Sequence, residues 1–83
     1  MLAAPPTQVW PNPTNGTLNF IPGPREQRDY TWMITDQLGR PVASGNATGI
    51  GAQQVDLGNV AKGLLFLRID DGEAVKTSRI LLQ

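Results

Sequence analysis

Short runs of alternating apolar and polar residues follow one another along the chain. Turn-forming residues separate these runs at intervals of about 8–12 positions, which is the spacing typical of β-sandwiches. In YTWMITD, for example, Tyr30, Trp32 and Ile34 occupy alternate positions, as expected for a strand with one buried face. The pattern predicts seven strands, at residues 7–11, 17–21, 29–36, 40–46, 51–56, 64–70 and 74–82. The intervening turn signals are NPTNG, PGPREQR, DQLG, NATG, GNVAKG and DDGE, and the chain is predicted to be all-β.

The same alternation predicts which side chains form the core. The expected set is Val9, Leu18, Phe20, Tyr30, Trp32, Ile34, Val42, Val55, Leu57, Leu65, Leu67 and Ile69, with either Val75 or Ile80. Leu64 and Phe66 make the opposite face of the sixth strand apolar as well, so this strand is expected to be central or covered on both sides. Trp10 alternates with Val9 and is expected to be partly exposed.

The last strand leaves three alternatives open. AVKTSRILLQ alternates as far as Arg79 and then places Ile80, Leu81 and Leu82 in a row. A β-bulge that switches the buried face would explain this run, as would an end that is buried on both sides. The third alternative is an end that meets a partner.

Composition limits what such a domain can be. Its 83 residues make one small domain without cysteine, so packing alone must stabilise the core. Seven basic and seven acidic side chains give no net charge, which argues against a nucleic-acid ligand. The longest apolar run, GLLFLRI, has the length of a strand and is too short to span a bilayer.

Catalysis and metal binding find little support in the residue types. The chain has no histidine and no cysteine, which excludes Ser-His-Asp and Cys-His arrangements. The acidic DDGE stretch lacks the spacing of a calcium loop and is typical of a hairpin turn. We therefore predict no enzyme activity, no cofactor and no metal site.

Three turns have a defined local chemistry. In ITDQLGRPV, Asp36 is expected to accept hydrogen bonds from turn amides, and Gly39 to adopt a positive φ before Arg40 opens the next strand. In PNPTNG, the two prolines fix φ and the second one pushes Asn12 toward extended geometry, which makes a stiff reversal. Gly63 is expected to let the chain leave a turn and enter a central strand.

Taken together, four segments of the chain resemble the type A C-terminal sorting domain of type IX secretion system cargo, the Por secretion domain of the Bacteroidetes. In chain order, these segments are VWPNPTNG, ITDQLGRPV, VDLGNVAKGLLFLRI and VKTSRILLQ. The resemblance covers residues 9–83. The family's motif positions, which it implies for binding, fall on Pro11, Asn12, Pro13, Gly16, Asp36, Gly39, Arg40, Gly63, Lys76, Arg79, Ile80, Leu81 and Leu82. The chain departs from the family at Leu65, where tyrosine is usual, and its last strand is sparser in lysine than that of many members.

The resemblance implies an immunoglobulin-like antiparallel β-sandwich of about seven strands that acts as an address. Residues 8–83 would be the sorting domain and residues 1–7 a linker, since MLAAPP lacks the regions of a signal peptide. The implied partners are outer-membrane translocon and cargo-shuttle proteins, a cell-surface sortase that removes the domain, and an upstream cargo domain. The implied location is the periplasm in transit, then the cell surface or the medium. The apolar last strand also allows a homodimer through edge or terminal strands.

Two other functions compete with this reading. One is an adhesive or carbohydrate-binding module appended to a secreted enzyme, with Trp10 and Tyr30 as contacts. The other is a passive spacer such as the immunoglobulin-like module of flagellar hook-capping proteins, which shares the D-x-x-G-x-x-V type of hairpin.

Overall fold

A computed structural model describes residues 8–21, 29–48, 51–72 and 74–83. The expected linker at 1–7 and the PGPREQR turn lie outside these residues. The described residues form seven strands, β1 (Gln8–Trp10), β2 (Thr17–Ile21), β3 (Asp29–Thr35), β4 (Pro41–Thr48), β5 (Gln53–Asp56), β6 (Gly63–Asp70) and β7 (Val75–Leu82). Each matches a predicted strand to within two residues at either end, which confirms the all-β prediction. The predicted NATG turn is wrong at its start, because β4 continues through Asn46 to Thr48.

The strands form two antiparallel sheets in an immunoglobulin-like sandwich. One sheet has the order β1-β2-β5 and the other β4-β3-β6-β7, so the fourth strand pairs with the third rather than joining the first sheet. The sixth strand is central, as predicted, because β3 and β7 pair with its two edges. No helix that could span a membrane occurs in the described part of the chain.

The core lies between the two sheets. It consists of Leu18, Phe20, Tyr30, Ile34, Val55, Leu57, Leu65, Leu67, Ile69, Ile80 and Leu82. Val9, Val42 and Trp32 are half-buried against it, and the Trp32 ring meets Phe20 edge-on at 5.6 Å between centroids. Ile80, not Val75, is the core residue of the last strand, since Val75 is 48% exposed.

The register of β7 decides two of the three alternatives for this strand. It pairs with β6 without interruption from Leu82 opposite Gly63 to Val75 opposite Asp70, so the bulge was a wrong prediction. Burial on both sides is also wrong, because Ile80 and Leu82 face the core while Leu81 is 41% exposed. An end that meets a partner stays a prediction.

The buried hydroxyl of Tyr30 gives a first test of the packing. It has no hydrogen-bond partner in the described structure, and burial raises the pKa of the phenol. A buried polar group without a partner costs about 1–3 kcal/mol. We therefore expect Tyr30→Phe to raise the free energy of unfolding in urea by about 1 kcal/mol. A loss of stability in this variant would show that the hydroxyl is hydrogen-bonded after all.

Candidate functional site

The PNPTNG turn lies against the outer edge of the terminal strand. The Asn12 side-chain amide donates a hydrogen bond to the carbonyl of Arg79 at 2.8 Å, and the Leu81 amide donates to Asn12 Oδ1 at 3.1 Å. A carboxamide has the same donor and acceptor as a peptide group. Asn12 therefore pairs with β7 as a strand residue would.

Thr14 continues this pairing with its backbone. Its amide donates to the carbonyl of Leu81 at 2.9 Å, and the Gln83 amide donates to the carbonyl of Thr14 at 2.8 Å. Thr14 and Leu82 form a parallel bridge. Residues 12–14, which we call the clamp, thus join the first turn of the domain to its last strand through four hydrogen bonds.

Local contacts hold the clamp in place. Thr14 is only 1% exposed, and its hydroxyl donates to the carbonyl of Thr17 and accepts from the amide of Gly16. The carbonyl of Gly16 in turn accepts from the amide of Leu57, just after β5. The peptide bonds that precede Pro11 and Pro13 are both cis. The turn is therefore tied to both sheets.

The DQLGR turn forms as predicted. Asp36 Oδ1 accepts hydrogen bonds from the amides of Leu38 and Arg40 at 2.9 and 3.0 Å. Its Oδ2 pairs with Arg40 Nε at 2.8 Å. Gly39 has a φ of 81°, a left-handed value that side chains rarely adopt. These bonds, with that from the Arg40 amide foremost, hold the pKa of the Asp36 carboxyl below its ordinary value.

A carboxyl with a lowered pKa makes stability depend on pH in a defined direction. Its contribution is present above the pKa of the unfolded chain and is lost as the pH falls through the lower folded value. We expect Asp36→Asn to lower Tm at neutral pH, and the difference from wild type to shrink below about pH 4. Calorimetric scans between neutral and acidic pH measure this difference. A difference that stays constant down to about pH 2 would contradict the assigned role of the charge.

The four sequence motifs meet at one end of the four-stranded sheet. Gly63 is paired with Leu82, and a Cβ built on Gly63 would lie 3.7 Å from the Gln37 side chain in the DQLGR turn. Further along the same pair of strands, Phe66 is paired with Arg79, whose carbonyl the clamp binds. Positions that are widely separated in sequence thus share one region. Lys76 lies apart from them, toward the other end of β7.

The motif residues of β7 divide between two faces. Ile80 and Leu82 are buried and pack in the core, so in the folded domain they do not present themselves to a partner. Arg79 and Leu81 point to the outer face. That face also carries the exposed Met33 and Arg68 and the half-buried Leu64 and Phe66.

Neither a metal centre nor a sugar platform emerges from the described residues. They contain no group of three acidic side chains that could hold a metal ion. Trp10 is 40% exposed, as predicted, but Tyr30 is 4% exposed and its proposed role as a sugar contact is wrong. A single exposed tryptophan does not make a stacking surface.

Sequence reasoning missed Thr14, which no motif singled out. Its signal was local, because a threonine two residues before a turn glycine can bond the turn backbone through its hydroxyl. The partnership of Asn12 with Arg79 had no signal in a single sequence, because 67 positions separate the two residues.

Comparison with known families identifies the chain. The family model for the secretion system C-terminal sorting domain matches residues 8–83, almost the whole chain. The comparison with curated proteins gives no match. The chain therefore belongs to the family of type IX secretion C-terminal sorting domains, as its motifs predicted.

Proposed function

We propose that the domain directs its cargo across the bacterial outer membrane by docking β7, held by the clamp, on components of the type IX translocon. The observation that carries this proposal is the convergence of the four motifs at one end of the four-stranded sheet, where the clamp binds the end of β7. Family membership supports the coarser statement, that the domain is a sorting signal for export to the surface or the medium.

Several finer steps belong to the same proposal. The cargo is a domain upstream of residue 8, and it folds in the periplasm before the sorting domain meets shuttle and translocon proteins. A cell-surface sortase then cuts on the N-terminal side of β1, in the region of residues 1–7. The linker-like composition of MLAAPP supports this position.

A reporter fusion tests the proposal. Residues 1–83 are joined to the C-terminus of a periplasmic reporter enzyme in a host with a type IX system, and reporter activity is measured in the periplasm and the medium. We expect export of the full fusion, and retention when residues 76–83 are deleted. The same fusions in a strain that lacks the translocon control for leakage. Retention of the intact fusion, or unchanged export after the deletion, would refute the function.

A further inference from the structure

The outer edge of β7 is paired along only part of its length. In an antiparallel strand, alternate residues direct both backbone polar groups to the same side. The clamp forms hydrogen bonds with the backbones of Arg79, Leu81 and Gln83. The backbone N–H and C=O groups of the odd-numbered residues of β7 therefore point away from β6. Val75 and Thr77 therefore also point outward, and the described structure contains no partner strand for them.

The clamp thereby divides this edge into two halves. Between Arg79 and Gln83 the outward groups are engaged, apart from the Arg79 amide. Between Val75 and Thr77 no described residue pairs with them, and we call this part the open edge. An unpaired edge is a template for another extended chain.

Positive side chains outnumber acidic ones around the open edge, where one acidic residue, Asp70, lies opposite Val75. Arg79 follows it on the outer face, Arg68 lies directly opposite Thr77 on β6, and Lys76 lies half-buried on the inner face. Within the described residues, neither arginine forms an ion pair. The other edge strand of the same sheet, β4, contains no charged residue at all. The charge is therefore a feature of the β7 edge rather than of sheet edges in this domain.

This charge disfavours a second copy of the chain as the occupant. Two copies paired antiparallel about Thr77 would place Val75 opposite Arg79 and Lys76 opposite Ser78. The cations of both copies would then lie along one short ladder, and lysines on edge strands are a known device against such self-pairing. An acidic chain centred on Thr77 would instead meet Arg68 and Arg79 on one face of the edge and Lys76 on the other.

We infer that the open edge binds an extended, acidic segment of a partner protein by strand addition. Backbone groups of Val75, Thr77 and Arg79 supply the hydrogen bonds, and Lys76, Arg68 and Arg79 select acidic side chains. The inference rests on the proposed function for its physiological partner, which is then a translocon or shuttle component.

A proline substitution at Thr77 tests the open edge. Thr77→Pro removes the amide that points outward and leaves the hydrogen bonds to β6 intact, and proline is tolerated on a strand edge where its nitrogen faces solvent. Thr77→Val keeps the amide and is the matched control. The probe is a short synthetic peptide of alternating threonine and glutamate, compared with its lysine counterpart. NMR shifts of the Val75, Thr77 and Arg79 amides in the 83-residue chain report binding.

We expect saturable shifts with the glutamate peptide and none with the lysine peptide. Thr77→Val should bind as wild type does, and Thr77→Pro about tenfold more weakly, which corresponds to the loss of about one backbone hydrogen bond. Equal binding of the two peptides, or full binding by Thr77→Pro, would overturn the inference. A wild-type dimer that Thr77→Pro abolishes would also overturn it, in favour of a second copy.

The reporter assay separates this inference from the proposed function. If Thr77→Pro is exported normally while deletion of residues 76–83 blocks export, the open edge is not the docking element and the sorting function stands. If the wild-type fusion is retained, the sorting function fails, while peptide binding still decides whether the edge accepts an acidic strand. Reduced export of Thr77→Pro with normal export of Thr77→Val would support both the sorting function and the role of the open edge in docking.

Discussion

Replacing Asn12 with alanine should lower the free energy of unfolding by about 1–3 kcal/mol, the sum expected for two hydrogen bonds. The substitution removes the bond to the Arg79 carbonyl at 2.8 Å and the bond from the Leu81 amide at 3.1 Å. Both partners belong to β7, so the loss weakens the attachment of the last strand to the first turn. Urea denaturation measures the change.

Asn15 provides a matched control for this variant, because it lies in the same turn and is exposed. We expect Asn15→Ala to change stability by no more than about 0.5 kcal/mol, as surface substitutions usually do. Hydrogen exchange gives a second readout, since the Leu81 amide should lose protection in Asn12→Ala and keep it in Asn15→Ala. Equal stability of the two variants would mean that the side-chain bonds of Asn12 contribute nothing.

Gly45→Ala should destabilise the domain by a similar amount for a different reason. A Cβ at Gly45 would lie 2.8 Å from Cζ2 and 2.9 Å from Cε2 of Trp32, closer than carbon atoms approach one another. The Trp32 ring is held edge-on against Phe20, so its movement disturbs the core. Overpacking of this kind costs about 1–3 kcal/mol.

Gly51→Ala is the matched control, because it makes the same glycine-to-alanine replacement at a position without a close neighbour. Nothing lies within 4 Å of a Cβ at Gly51, and neither glycine has a φ that a side chain would strain. We expect Gly51→Ala to be neutral within about 0.5 kcal/mol, and the near-ultraviolet circular dichroism of Trp32 to change only in Gly45→Ala. If both variants are neutral, the ring moves aside freely and the close approach is not a constraint.

Alternation along the chain predicts the strands and most of the core, because burial on one face leaves a period of two in the sequence. The alternation does not indicate which residues of a neighbouring strand a given side chain contacts. The sequence places Gly45 in the fourth strand but does not indicate that the Trp32 ring of the neighbouring strand lies 2.8 Å from where its Cβ would be. The three apolar residues after Arg79 also alternate between the buried and the exposed face of β7. Because all three are apolar, only the structure distinguishes the exposed Leu81 from the buried Ile80 and Leu82.

Most residues of the candidate site, though not Thr14, were predictable from the sequence, whereas their spatial arrangement was not. The sequence identifies PNPTNG as a stiff reversal and SRILLQ as a strand, each from local chemistry. Their contact closes a loop of nearly the whole chain, and local patterns contain no information on such a closure. The clamp gives the turn a second role besides reversal, because it covers one half of the β7 edge and leaves the other half open.

The most direct test of this site is the exported fraction of the reporter fusion with Asn12→Ala compared with Gly45→Ala, at a temperature where both variants are folded. The two substitutions are expected to destabilise the domain to a similar degree, but Asn12 holds β7 while Gly45 lies on the opposite edge strand of the same sheet. We expect export to fall in Asn12→Ala and to remain near wild type in Gly45→Ala. Equal export of the two variants at equal stability would contradict a docking site built on the clamped terminal strand.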